Sequence, residues 1–324
     1  MIPYINPKSK NLLKKEGLKL LIDNETNQKF PIKNEIPRII SSNVSYAQMW
    51  GEQWGRFQLT QFDSFTKKDL SKDRLEYILG SGIDILKGKK VLEVGSGAGR
   101  FTELLASKAE ELYTLDASEA IDYNKKNNSK FGNIYYTQAD LFNIPFQDNT
   151  FDYVVCIGVI QHTPDTMLAI ENLWKKVKPG GKLIFDHYQF TYRYYFGTTE
   201  LFRFFIKRMD NKKSIEFCKK LVDLFFPIYW PLRKNTTLKR IFKKIIPLGI
   251  DTSTSRDSLN YEDLKEWTYL DTHDALADPI KNLISKKKML EILSKIKYSK
   301  IELISEMRPG SNGLEVRILK NLTS

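Results

Sequence analysis

Short apolar runs alternate with amphipathic stretches through the middle of the chain. Val91-Leu92-Glu93-Val94, Leu112-Tyr113-Thr114-Leu115, Ile134-Tyr135-Tyr136-Thr137, Tyr153-Val154-Val155-Cys156-Ile157 and Leu183-Ile184-Phe185 are each too short for a helix and too continuously apolar for a half-solvated strand. Such runs read as strands covered on both faces. The pattern predicts strands at 90–94, 111–115, 133–138, 152–157 and 182–187, with helices at 98–108, 118–128 and 165–177 between them. Alternation of this kind argues an α/β fold with a parallel sheet.

The flanks read differently. Leu18 to Ile22 and Gln28 to Ile32 form two short strands about the turn 23–27, as in a small β module. Residues 45–57 mix aromatic and polar side chains, and Leu75-Glu76-Tyr77-Ile78-Leu79 before Gly80 reads as a helix ended by glycine. After the last parallel strand, about 188–283 interrupts the alternation, and a stretch that long inside one domain is functional or a subdomain of its own. Leu201, Phe204, Phe205 and Met209, and likewise Leu238, Ile241, Phe242 and Ile245, have helical spacing. A further helix spans 286–296.

Charge sharpens the view of that insertion. The chain has 324 residues and a formal net charge of +12. Residues 190–250 hold 14 Lys/Arg against 4 Asp/Glu, a net of +10, interleaved with aromatics that include Tyr192, Tyr194, Tyr195, Phe196, Tyr229 and Trp230. Three readings compete: a lid packed on the catalytic face, a peripheral membrane contact through 200–250, or a nucleic-acid surface. No nucleic-acid motif accompanies the charge, which makes nucleic acid the weakest of the three. There is no apolar run long enough to span a bilayer and no signal-peptide core at the start, so the cytoplasm is the expected compartment, at the inner face of the membrane if the membrane reading holds. The two cysteines, Cys156 and Cys218, make neither a disulfide framework nor a metal cluster.

The candidate chemistry begins at Gly95-Ser96-Gly97-Ala98-Gly99, directly after the strand 90–94 and before a helix start at Arg100. Glycines let a backbone turn sharply and come close to a ligand, and a helix start offers free N–H groups. The spacing is not the G-x-G-x-x-G of dinucleotide sites, and no G-K-[ST] of a P-loop follows. Asp116 lies 19 residues after Gly97, close to the ~20-residue spacing at which an acid meets ribose hydroxyls.

Glu93-x-Gly95-x-Gly97-x-Gly99, followed by Asp116, by Ala139-Asp140-Leu141, by Phe151-Asp152 to His162 and by Lys178-Pro179-Gly180-Gly181, resembles the motif series of the class I S-adenosylmethionine-dependent methyltransferases. The resemblance covers about a hundred residues and implies a Rossmann-like seven-stranded fold. Its antiparallel last pair corresponds to 301–305 and 313–319, joined by the turn Pro309 to Gly313. It implies S-adenosylmethionine as cofactor, held by Glu93, Gly95, Ser96, Gly97, Gly99, Asp116, Ala117, Asp140, Leu141 and Gly158, with Asp140 accepting from the adenine amine. Phe30 to Ile39 resembles the end of zinc-ribbon modules that accompany some members, but the segment holds no Cys or His, so a degenerate ribbon without metal is expected. Ser45 to Phe57 resembles a segment that covers the cofactor cleft in a bacterial subgroup. Arg56, Gln58 and Gln61 there are candidates for the methionine carboxylate or the acceptor, and a helix that only seals the sheet edge is the other reading.

The expected organisation is a β module at 1–44, a helical cover at 45–88, a Rossmann-like core at 89–188, a mainly helical insertion at 189–283 and a closing helix and hairpin at 284–324. Methyl transfer needs a base only for a neutral hydroxyl or amine. His162 and His187 fall at the carboxyl edge of the sheet, where ligands bind in this fold. They are the catalytic candidates together with Tyr188, while Asp274 is a weaker one and Asp186 has no settled orientation. A histidine in a loop there also serves as a plain hydrogen-bonding group. The implied activity is methyl transfer to a small-molecule, glycan or lipid-linked acceptor. An RNA methyltransferase and a cofactor-binding subunit without catalysis are the alternatives.

Overall fold

The computed structural model describes residues 2–40, 45–190, 198–251, 255–305 and 313–322. The chain opens with β1 (Lys14–Glu16), β2 (Leu20–Ile22), β3 (Lys29–Lys33) and β4 (Ile36–Ile39), then α1 (Ser45–Arg56), α2 (Asp63–Thr66) and α3 (Leu70–Leu79). The core follows as β5 (Lys90–Val94), α4 (Arg100–Ala106), β6 (Glu111–Asp116), α5 (Ala120–Asn127), β7 (Ile134–Ala139), β8 (Phe151–Cys156), α6 (Thr166–Lys176) and β9 (Val177–Tyr188). The insertion contributes α7 (Thr198–Ile206), α8 (Asn211–Leu232), α9 (Thr236–Ile245) and α10 (Tyr261–Ala277). The closing elements are α11 (Lys286–Leu293), β10 (Tyr298–Ser305) and β11 (Gly313–Lys320).

The described strands form one sheet in the order β1-β2-β3-β4-β7-β6-β5-β8-β9-β11-β10. From β4 to β9 the neighbours run parallel, and β11 lies antiparallel to β9 and β10. Strand order reverses at β5, between β6 and β8, and the crevice at the carboxyl ends there is where α/β sheets bind ligands. The predicted apolar runs are those of β5 to β9, with Leu92, Val154 and Phe185 fully buried between the helical layers. β9 is longer than predicted because Lys178 to Gly181 joins the strand across a register shift opposite Phe151 and Tyr153. α4 starts two residues later than predicted, since Gly99 at φ +99° stands outside the helix.

The N-terminal segment is not a separate module. β4 pairs with β7 through Arg38↔Gln138 and Ile39↔Ala139, so it continues the central sheet. Arg38 anchors it with both guanidinium nitrogens on Asp122 of α5, at 2.8 and 2.7 Å. Within this segment buried Asp23 accepts from Asn6 Nδ2 at 2.7 Å, Ser9 Oγ at 2.5 Å and the Thr26 N–H at 3.2 Å. That hydrogen-bonded knot closes the turn between β2 and β3.

The insertion folds around its own apolar cluster, with Phe226, Tyr229, Phe242 and Trp267 packed together with Phe57 at the end of the cover segment. Apart from Phe242, the two amphipathic stripes do not face that core. Leu201, Phe205 and Ile245 are 61 %, 60 % and 61 % exposed, while Ile206, Phe242 and the fully buried Lys239, paired with Asp257 at 2.9 Å, point inward. Tyr192, Tyr194, Tyr195, Phe196 and the turn 309–312 lie outside the described residues. No helix among the described residues is long and apolar enough to cross a membrane.

Candidate active site

A deep cleft opens at the carboxyl ends of β5, β6, β8 and β9, closed over by α1 and α10. The backbone leaves β5 in the left-handed region at Gly95 (φ +73°) and Gly97 (φ +53°). A Cβ at Gly95 would stand 2.3 Å from Val159, and one at Gly97 2.9 Å from the indole of Trp54, so side chains are excluded from this loop twice over. The Gly97 N–H donates to Asp116 Oδ2 at 2.8 Å, and Asp116 Oδ1 accepts from the N–H and hydroxyl of Ser118 at 2.8 and 2.6 Å. Burial raises the pKa of Asp116 against these hydrogen bonds. Ser96 Oγ is buried without a partner.

Gly95, Ser96, Gly97, Gly99, Asp116, Ala117, Leu141 and Gly158 all line the cleft. Three expected contacts do not. Glu93 points to the other face of β5, where it accepts from Thr102 Oγ1 at 2.5 Å and Thr114 Oγ1 at 3.0 Å, and burial raises its pKa to about 7. Strand side chains alternate faces, so Val94 takes the cleft side instead. Asp140 lies behind the wall, accepting from the Tyr46 hydroxyl at 2.5 Å and the Phe142 N–H at 3.0 Å; Tyr46 stands in the cleft in its place. Arg56 leans away toward Glu266 of α10, 3.7 Å distant, whereas Gln58 and Gln61 do line the cleft.

Among the catalytic candidates, His162 and Tyr188 reach the cleft and His187 does not. His162 Nδ1 is 2.8 Å from Asp278 Oδ2. A carboxylate only accepts, so Nδ1 carries the proton and Nε2 is left as the basic nitrogen. Nε2 lies 4.0 Å from Asp274 Oδ1, and Trp50 packs on the ring at 4.5 Å. Burial opposes protonation of His162, but Asp278 and Asp274 outweigh it and raise the pKa above 6.5. The Tyr188 hydroxyl donates to Asp274 Oδ2 at 3.1 Å. His187 is fully buried between Thr166 Oγ1 at 3.1 Å and its neighbour's carbonyl at 3.0 Å, and burial drops its pKa to about 4. Its position at the end of β9 put it near the cleft, but strand parity turned it away. Asp186 is buried beneath the floor, bonded to Arg74 and accepting from the Gly158 N–H at 2.6 Å.

Several wall residues were not expected. Tyr46, Trp50 and Trp54 recur every fourth residue and so share one face of α1. Asp271 joins the weaker candidate Asp274 on the wall, and Asp278 stands behind His162; the three are spaced three and four apart, the same helical signal on and just beyond α10. Arg74, Arg100 and Arg256 also face the cleft. Among the described residues no group of three or more His, Cys, Asp or Glu is placed to hold a metal.

Residues 92–185 match the family model of the methyltransferase domain. Over 108 residues the chain is 34% identical to a demethylmenaquinone methyltransferase of Geobacillus sp. (strain WCH70), covering 32% of this chain and 46% of that one. Over 103 residues it is 36% identical to a ubiquinone biosynthesis O-methyltransferase of Coxiella burnetii, covering 31% and 44%. The chain thus spans less than half the length of either relative. Among solved structures it is similar to the N-methyltransferase NodS from Bradyrhizobium japonicum in complex with S-adenosyl-L-homocysteine, at 14% identity and a TM-score of 0.45, over 84% of this chain and 98% of that one. The glycine loop, the buried Asp116 and the unpartnered Ser96 hydroxyl fit an adenosyl amino acid, and with the matched motifs they make the assignment. Residues 92–185 are a class I S-adenosylmethionine-dependent methyltransferase domain.

Proposed function

We propose that the chain transfers a methyl group from S-adenosylmethionine to a hydroxyl or amine of a small acceptor. The observation that carries this reading is the His162–Asp278 pair, which opens into the same cleft as the glycine loop. The cofactor supplies a methyl group activated on a sulfonium. Gly95, Ser96, Gly97, Gly99 and Gly158 would hold its amino-acid portion, Asp116 and Ala117 the ribose, and Tyr46 and Leu141 the base, with Asp140 fixing Tyr46. Trp50 and Trp54 exclude water from the wall, which strengthens each polar contact inside. His162 takes the acceptor's proton at Nε2, Asp278 holds the ring and balances the charge that forms, and Tyr188 fixes Asp274 beside it. Incubation of a small-molecule and lipid extract with methyl-labelled cofactor tests this. His162→Gln should lower label transfer by about 10²–10⁴-fold while S-adenosylhomocysteine still binds. Undiminished transfer removes His162 from the mechanism, and wild-type protein that binds no S-adenosylhomocysteine refutes the whole reading.

We further infer that a lipid-linked acceptor is met at a membrane surface. This is supported by the exposed stripes of α7 and α9, Leu201, Phe204 and Phe205 on one and Leu238, Ile241 and Ile245 on the other. The two helices touch where Thr198 Oγ1 donates to the Lys244 carbonyl at 3.4 Å, and Arg240, Lys243 and Lys244 flank the α9 stripe. Apolar side chains framed by cations suit an anionic interface. Vesicle flotation should carry the wild type with phosphatidylserine liposomes and leave Phe204→Ser/Phe205→Ser/Ile241→Ser behind; equal behaviour of the two sinks the membrane contact.

A further inference from the structure

Three guanidinium groups face the cleft, Arg74 from α3, Arg100 at the start of α4 and Arg256 from the segment before α10. Two of them already have carboxylate partners. Arg74 donates to Asp186 and lies 4.0 Å from Glu315. Arg256 donates to Asp271, lies 3.7 Å from Asp251 and sits over the Trp267 ring at 4.5 Å. Arg100 differs. Its hydrogen-bond partner is the neutral side-chain oxygen of Gln61 at 2.7 Å, and its guanidinium lies over the Phe101 ring at 4.2 Å. Among the described residues no carboxylate stands within 4.0 Å of it.

The local field matches that geometry. Burial first, then Arg74 and Arg256, press the pKa of Arg100 down to about 9, against the weaker opposing pull of Asp186 and Asp63. A partly buried cation without an anion of its own is costly until one joins it. Arg74 Nε and Ser96 Oγ, on the same wall, are buried and make no hydrogen bond. Arg256 comes from the insertion, outside the matched 92–185 domain that carries the cofactor motifs. Its partner Asp271 stands one turn from Asp274 on α10, and Asp274 faces His162. An anion that Arg100 and Arg256 shared would thus lie in the same cleft as His162.

We propose that Arg100 and Arg256, steadied by Gln61 and Asp271, form a subsite for an oxyanion of the methyl acceptor, a carboxylate or phosphate, and so select anionic acceptors. This rests on the methyltransferase reading. Guanidinium forks suit such groups because two N–H bonds meet two oxygens.

Calorimetry with inorganic phosphate, run on the full chain already saturated with S-adenosylhomocysteine, tests it. Phosphate should bind the loaded wild type. Arg100→Gln and Arg256→Gln should each weaken it by about tenfold or more, and Arg100→Lys by less. The affinity for S-adenosylhomocysteine should stay within about threefold in all three, since a tenfold loss would correspond to about 1.4 kcal/mol. Two results overturn the proposal. One is a loaded wild type that takes up no phosphate. The other is an Arg100→Gln protein that loses S-adenosylhomocysteine but keeps 5′-methylthioadenosine, which lacks the carboxylate; Arg100 would then serve the cofactor. If Arg100→Gln fails to fold, Arg256→Gln and Gln61→Leu decide by the same readings. Failure of the wild type to bind S-adenosylhomocysteine sinks the methyltransferase reading itself, whereas binding without phosphate uptake sinks only the subsite.

Discussion

Asp278→Asn is the sharpest perturbation of the proposed base. In the wild type, Asp278 Oδ2 accepts from His162 Nδ1 at 2.8 Å and Oδ1 accepts from the Ile280 N–H at 2.8 Å. The Ile280 N–H demands an acceptor, so the asparagine oxygen must occupy the Oδ1 position. Its NH2 group then faces His162 Nδ1 and can only donate. The ring must shift its proton to Nε2, the nitrogen that should take the acceptor's proton. Keeping the original tautomer would leave two buried donors face to face, at about 1–3 kcal/mol. That is enough to put roughly eight-tenths or more of the protein in the unproductive tautomer. The lost carboxylate also removes the main support for the raised pKa of His162, leaving burial to push it down. Long-range ¹H–¹⁵N correlation spectra of the ring read both effects without an acceptor. The expected result is Nδ1–H and a midpoint above 6.5 in the wild type, against Nε2–H and a midpoint below 6.5 in Asp278→Asn. With an acceptor in hand, kcat should fall by about 10²–10⁴-fold. An unchanged tautomer and midpoint, or a kcat within a factor of about three, would refute the role given to this pair.

Asp116→Ala removes a buried acceptor at the ribose position and should weaken S-adenosylhomocysteine by about 1–3 kcal/mol in calorimetry, with unchanged affinity as the contrary result. Glu93→Gln should leave that affinity unaltered, because Glu93 faces Thr102 and Thr114 rather than the cleft. Its carboxyl titrates near 7 when folded and 4.5 when unfolded, so the charged form costs stability as pH rises through that window. The glutamine variant should gain up to about 3 kcal/mol over wild type above pH 7, read from urea midpoints. His187 and His273 are fully buried, with folded pKa values near 4 against 6.5 unfolded. The unfolded chain binds the extra protons, so stability should drop as pH falls from 6.5 toward 4, by about 3 kcal/mol for each histidine. His162 acts in the opposite sense, its contribution being present below 6.5 and lost as pH rises through its raised pKa. A melting temperature that stays flat between pH 6.5 and 4 would contradict the assignment of neutral buried imidazoles.

What could be read from the sequence follows from which contacts are local. β5, β6 and β8 are covered on both faces, so their apolar runs are continuous and easily seen. The glycine loop and Asp116 are legible because a bend and a spacing along the chain are enough to define them. β1, Lys14-Lys15-Glu16, is exposed at every position, and β4 contains Pro37, so neither carries a strand pattern. Their strand character comes from partners, with β4 stitched beside β7 by Arg38 and Asp122. Glu93, Asp140 and His187 show the limit on the site itself. Each sits at the right end of the right strand, but a shift of one residue sends a side chain to the opposite face. Only the identity of the neighbours, Thr102, Tyr46 and Thr166, settles which way each one points.

The insertion shows the reverse case, a pattern that is plainly visible but compatible with more than one surface. A stripe of Leu201, Phe204 and Phe205 ordinarily marks the buried face of a helix. Here the buried positions of α7 are Arg203 and Ile206, with Arg203 bonded to the Asp278 carbonyl. Lys239 is likewise drawn fully inside by Asp257. The polar interior of this subdomain is thus spent on holding the segments on either side of α10, which carries Asp271 and Asp274 to the cleft and is followed by Asp278 behind His162. An arginine that fixes the carbonyl of the residue orienting His162 ties the lid's packing to the proposed base. The apolar side chains displaced from that interior end up outside, beside the lysines. The same exchange accounts for both the acids that α10 brings to the cleft and the greasy, basic outer face, so the subdomain that packs over the cleft on one side carries on its other side the surface of the proposed membrane contact.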